Sequence, residues 1–195
     1  VTKTSKAEEP LLFFATPLAW AEWLRENHAQ SKGLWLKMAK KESKIESLDY
    51  AGALRAALCW GWIDSQTGSI DAQFWKQRFT PRGPKSVWSK VNREHVAALI
   101  SSGEMQAPGL AEVEKAKQDG RWEAAYDPPS RAAVPDDLAA ALAQNPAAKE
   151  FFETLRSANR YAILYRLQAA KKPETRAKNL EKFVAMLARK ETLHG

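Results

Sequence analysis

Between Cys59 and Asn92 the chain reads CWGWIDSQTGSIDAQFWKQRFTPRGPKSVWSKVN, and this stretch restricts the fold more than any other. Four of the eight tryptophans, Trp60, Trp62, Trp75 and Trp88, fall within it, with the only cysteine, Cys59. Lys76, Arg78, Arg82, Lys85 and Lys90 crowd its second half, Arg93 lies just beyond, and no acid occurs between Asp71 and Glu94. Like charges held close together repel, so such a stretch must be packed or must meet an outside anion. Locally, Trp62–Ser65 and Phe74–Thr80 read as strands joined around Thr67, Gly68 and Asp71. Pro81 and Gly83-Pro84 then break the second strand into a loop.

The flanking sequence supplies what would cover these strands. Thr16-Pro17 reads as a helix cap and first turn, with Trp20, Trp23 and Leu24 on one face of a helix over residues 17–28. His28 closes that helix, where a cation suits the dipole. Leu34, Leu36 and Met38 alternate with Trp35, Lys37 and Ala39, the period of a strand. Asp49 caps a helix carrying Tyr50, Leu54 and Leu58 at intervals of four, and Gly61 ends it. Ser89 is placed to cap a helix over residues 90–102, with Val91, His95, Ala98 and Leu99 facing inward, and a further helix runs from Leu110 to Gln118. Tyr126–Ala133, with Pro128-Pro129, reads as a linker. Beyond it all is helical: Leu138 and Leu142, then Phe152, then Leu164 and Leu167, and finally Leu180, Phe183 and Leu187 in a helix begun by Pro173. The expected fold is α+β, a small mixed or antiparallel sheet of about three strands covered by helices, with a helical C-terminal region. The expected divisions are a flexible tail over 1–15, an α+β domain over 16–125, a linker over 126–134 and a helical region over 135–195.

The net charge of +7 points to an anionic partner only where it is clustered, and residues 160–190 are a second basic cluster. No apolar run approaches the length of a membrane span. The N-terminal stretch lacks the features of a secretory signal, so a cytoplasmic location is expected. One cysteine and three scattered histidines give no disulfide and no metal-ligand spacing. No cofactor is expected, because no glycine-rich phosphate loop or dinucleotide fingerprint is present.

Several runs resemble a known family. Ala57-Leu58-Cys59-Trp60-Gly61-Trp62-Ile63-Asp64-Ser65, Phe79-Thr80-Pro81-Arg82 and Ser86-Val87-Trp88-Ser89-Lys90-Val91-Asn92 are similar to the YdeI/OmpD-associated, or bacteriocin-protection, family. So is the tail from Val134-Pro135-Asp136-Asp137-Leu138 to Lys172-Pro173-Glu174-Thr175-Arg176. The resemblance runs from about Phe14 to the last helix and implies a role in bacteriocin resistance or association with a porin.

The residues themselves suggest an anion receptor. Arg78 and Lys76 share a strand face, Arg82 follows a stiffening proline, and Ser86, Ser89 and Asn92 add hydrogen-bonding groups beside a helix start. Trp88, in the loop, could stack a base. Arg176, at an inward position of the last helix, needs a partner: a carboxylate or carbonyl of the sheet domain, or a bound anion shared with Arg82. The structural alternative pairs Arg82 with Asp64 or Asp71 and buries Trp88. Three functional readings stay open: a non-enzymatic binding protein for a nucleic acid or small anionic ligand, a stress-protection protein with a protein partner, and an enzyme using Cys59 and Asp64.

Overall fold

In the computed structural model, which describes residues 9–194, the hydroxyl of Thr16 accepts a hydrogen bond from the Ala19 N–H at 3.2 Å. That cap, with Pro17 next to it, starts helix α1 (Pro17–Asn27). Upstream, strand β1 (Leu11–Phe13) runs parallel to β2 (Leu34–Ala39), with Leu11 opposite Trp35 and Phe13 opposite Lys37. This strand corrects the expectation of a tail extending to residue 15; residues 1–8 of that tail lie outside the described residues.

Asp49 accepts from the Gly52 N–H at 2.7 Å and begins α2 (Tyr50–Cys59), which ends at Gly61, a residue with φ +74°. Strands β3 (Trp62–Ser69) and β4 (Phe74–Pro81) form an antiparallel hairpin, and β4 also pairs antiparallel with β2. The result is a mixed sheet of four strands in the order β1-β2-β4-β3, where three were expected.

Period-two alternation divides its residues between two faces. Leu34, Leu36, Met38, Trp62 and Phe79 are buried on one. There the Trp20 ring of α1 lies 5.9 Å from Phe79 and 6.3 Å from Trp62, while its indole N–H donates to the Ala53 carbonyl of α2 at 3.1 Å. The opposite face carries Trp35, Lys37, Phe74, Lys76 and Arg78, all half-buried, and at its edge Leu11 and Phe13, 49% and 45% exposed.

Helices α3 (Lys90–Ser101) and α4 (Ala107–Gln118) follow. Val96 and Leu99 are the buried residues of α3, whereas His95 and Ala98, expected to face inward, are exposed. Gly109 lets α4 approach the end of α2: a Cβ there would stand 2.2 Å from the Cys59 carbonyl oxygen.

Contacts divide the chain into two compact units. One holds the described residues up to Val87 together with Asn92–Glu123; the other holds Trp88–Val91 and the residues from Ala124 onward. The second unit is built on α5 (Asp136–Ala143), α6 (Pro146–Thr154), α7 (Ser157–Gln168) and α8 (Pro173–Ala188). Leu138, Leu142, Phe152, Ile163, Leu167, Phe183 and Leu187 fill its core. Its first residues are tied down by main-chain bonds, since Tyr126 N–H donates to the Trp88 carbonyl at 3.0 Å and Lys90 N–H to the Tyr126 carbonyl at 2.9 Å. The fold class is α+β with a helical C-terminal region. Among the described residues, no helix is long and apolar enough to cross a membrane.

Candidate anion-binding surfaces

Arg78 and Lys90, two cations of the acid-free basic stretch, find carboxylates elsewhere in the chain. On β4, Arg78 is gripped by Glu9: its Nε donates to Oε2 at 2.6 Å and its Nη2 to Oε1. That pairing raises the guanidinium pKa further. Lys90 meets Asp127 at 2.7 Å within the C-terminal unit, and Arg93 donates to the Trp122 carbonyl at 2.9 Å.

Arg82 sits just past β4 and is only 7% exposed. Its N–H donates to the Gly61 carbonyl at 2.9 Å and its Nη1 to the Val87 carbonyl at 3.2 Å. Ser86 closes the following turn, accepting the Gly83 N–H at 2.9 Å on its hydroxyl and the Arg121 guanidinium at 3.0 Å on its carbonyl. Beside this turn is a cleft of about 400 Å³, lined among others by Arg82, Lys115 and Arg121. Glu112 and Asp119 line it too, and they pair with Lys115 and Arg121 at 2.7 Å each, so the cleft keeps little charge in excess.

The remaining expected site residues go to other places. Trp88 is 2% exposed and Ser89 is buried in a β-bridge to Tyr126, so the Trp88 ring presents no open face for stacking. Asn92 is half-buried in the first turn of α3. Arg176 belongs to the helical unit, where Nε and Nη2 grip Asp137 at 2.7 and 2.9 Å and Nη1 donates to the Leu167 carbonyl at 2.6 Å. Its partners thus come from its own unit, not from the sheet as expected.

The chemistry considered for catalysis is not assembled at Cys59 or Asp64. Cys59 is buried, and that burial, with the Glu104 carboxylate nearby, pushes its thiol up to about 11. Asp64 accepts from the Tyr50 hydroxyl at 2.9 Å on the helix-covered side of the sheet, while Arg78 pairs with Glu9 instead. Among the described residues, no group of three or more His, Cys, Asp and Glu could hold a metal ion.

What reasoning along the sequence missed is the outer face of the sheet. Antiparallel register sets Trp35 opposite Arg78, Lys37 opposite Lys76 and Ala39 opposite Phe74. The Lys37 ammonium lies 3.8 Å from the Phe74 ring centroid and that of Lys76 4.5 Å from the Trp35 centroid. Among the described residues, neither lysine makes an ion pair. Gly68 on β3, opposite Lys76, leaves room for its stem: a Cβ there would meet Lys76 Cε at 3.1 Å. Phe13 of β1 meets Phe74 edge-on at 6.3 Å. The alternation of Trp35 and Lys37 with Leu34, Leu36 and Met38 was the available signal.

Comparison with protein families gives two matches. Residues 12–112 match the family described as domain of unknown function DUF8412, and residues 131–190 match bacteriocin-protection, YdeI or OmpD-associated. Comparison with curated proteins and with solved structures finds no match. The sheet-region runs that resemble the bacteriocin-protection family thus fall mainly within the first match, and that family's own match is confined to the helical unit. The C-terminal helices, over residues 131–190, are similar to the bacteriocin-protection, YdeI or OmpD-associated family, and the chain, matched over 12–112, belongs to the DUF8412 family.

Proposed function

We propose that this chain is a non-enzymatic binding protein for anionic ligands and that the ligand lies on the outer face of the four-stranded sheet. The observation that carries this reading is the pair Lys37 and Lys76, side by side on adjacent strands with aromatic rings beneath them and, among the described residues, no carboxylate in an ion pair with either. Arg78 adds a third cation, offset by Glu9, and Asp71 stands at the hairpin tip with its carboxylate engaged by the Gln73 and Phe74 N–H groups at 2.8 Å. The Arg82 cleft supports the reading less well, because two of its three cations already hold carboxylates. The state of Cys59 favours binding over thiol catalysis.

Inorganic polyphosphate, a polyanion with no bases, is the direct probe. At about 50 mM salt it should bind, and affinity should fall as salt rises, with a log–log slope of about −1.4 for two phosphate contacts on a flexible chain. Absence of binding at that ionic strength would contradict the reading.

A further inference from the structure

We infer that the polyanion this face takes is a single-stranded nucleic acid, its bases laid on the Trp35 and Phe74 rings and its phosphates on Lys37 and Lys76. The inference rests on the anion-binding reading above and adds to it the identity of the ligand. A ligand carrying phosphate alone would use only the lysines. The face offers more than charge: Lys37 and Lys76 each stand over a ring, so these two ammonium groups are each paired with an aromatic plane.

That pairing suits a chain in which phosphates alternate with planar bases. Base–aromatic stacking is stronger than an exposed cation–π contact, so a base can displace each ammonium from its ring, and the freed ammonium then reaches the neighbouring phosphate. Trp35 and Ala39, the residue opposite Phe74, are four positions apart on β2. At about 3.4 Å per residue the two rings therefore lie roughly 14 Å apart along the strands. Such a span separates bases of an extended strand, which are not then stacked on each other. Phe13 borders the Phe74 ring and extends the apolar surface to the sheet edge. A duplex keeps its base faces stacked inside, out of reach of rings on a strand surface. Unpaired bases fit it and paired ones do not.

The test uses the full chain and three probes in anisotropy titrations at about 50 mM salt: a labelled oligothymidylate of about 12 nucleotides, a polyphosphate of matching charge, and a duplex of the same length, which carries about twice that charge. The expected order puts the single strand on the order of tenfold tighter than either of the others. Trp35→Leu, which keeps apolar bulk but removes the π face, should weaken the single strand on the order of tenfold and leave polyphosphate little changed; Phe74→Leu should do the same. If polyphosphate binds as tightly as the single strand and Trp35→Leu alters neither, the inference fails while the anion-binding reading stands. A preference for the duplex also overturns it. If none of the three binds, both fail together. Should Trp35→Leu not fold, Phe74→Leu decides alone.

Discussion

Lys76 reaches from β4 across the sheet to Trp35 on β2, its ammonium 4.5 Å from the indole centroid. An exposed cation–π contact contributes about 0.5–1 kcal/mol, while a base stacked on an aromatic ring contributes about 1–3 kcal/mol. The contact therefore holds the lysine in place without locking it. Lys76→Ala should lower unfolding stability by no more than about 1 kcal/mol in urea denaturation. A much larger loss would make Lys76 a structural residue.

Gly109 tests the packing of α4 on the end of α2. In a helix interior, Gly→Ala by itself stabilises by about 1 kcal/mol. Here the new Cβ would stand 2.2 Å from the Cys59 carbonyl oxygen, which is backbone and cannot swing aside. Gly109→Ala should therefore destabilise, by about 1–3 kcal/mol, seen as a lower midpoint in chemical denaturation. An unchanged or higher midpoint would show that the two helices separate easily.

Cys59 should be inert in the folded protein. With its thiol at about 11, the thiolate fraction near neutral pH is very small, and burial blocks access. Iodoacetamide should leave it unmodified until denaturant is added. Rapid labelling of the native chain near neutral pH would reopen the thiol-enzyme reading.

In the helical unit, the Arg176 guanidinium holds the Asp137 carboxyl below its ordinary range. A carboxylate with a depressed folded pKa contributes stability above its unfolded pKa, and that contribution is lost as pH falls through the folded value. Asp137→Asn should cost about 1 kcal/mol near neutral pH, a modest figure because both side chains are partly exposed. The difference between wild type and variant should vanish in acid. A gap that widens in acid would contradict this assignment.

Much of the fold could be read from local signals. Thr16 and Asp49 sit where their side chains satisfy the first N–H groups of α1 and α2, and the alternation of Leu34, Leu36 and Met38 marks a buried strand face. Leu11–Phe13 escaped because three apolar residues have no period, and their pairing with β2 is made across a helix. Tryptophans clustered in sequence drew attention to Trp88, whose burial accompanies main-chain pairing with Tyr126, far along the chain. Trp35 and Phe74 come to share one sheet face with Lys37 and Lys76 only through antiparallel register, which no local pattern specifies. Arg78 looked unpaired because Glu9 lies on a distant segment, beyond the reach of any window around the basic stretch.

The measurement that decides most is charge reversal at the sheet against charge reversal elsewhere. Lys37→Glu/Lys76→Glu and Lys178→Glu/Lys182→Glu change net charge equally, the first pair on the outer face and the second at exposed positions of α8. In polyphosphate titrations at about 50 mM salt, with circular dichroism confirming that both variants fold, the sheet variant should lose affinity by on the order of tenfold or more. The helix variant should bind close to wild type. The reverse order, or equal loss in both, would contradict binding at the sheet and leave net charge or the basic C-terminal helix as the cause.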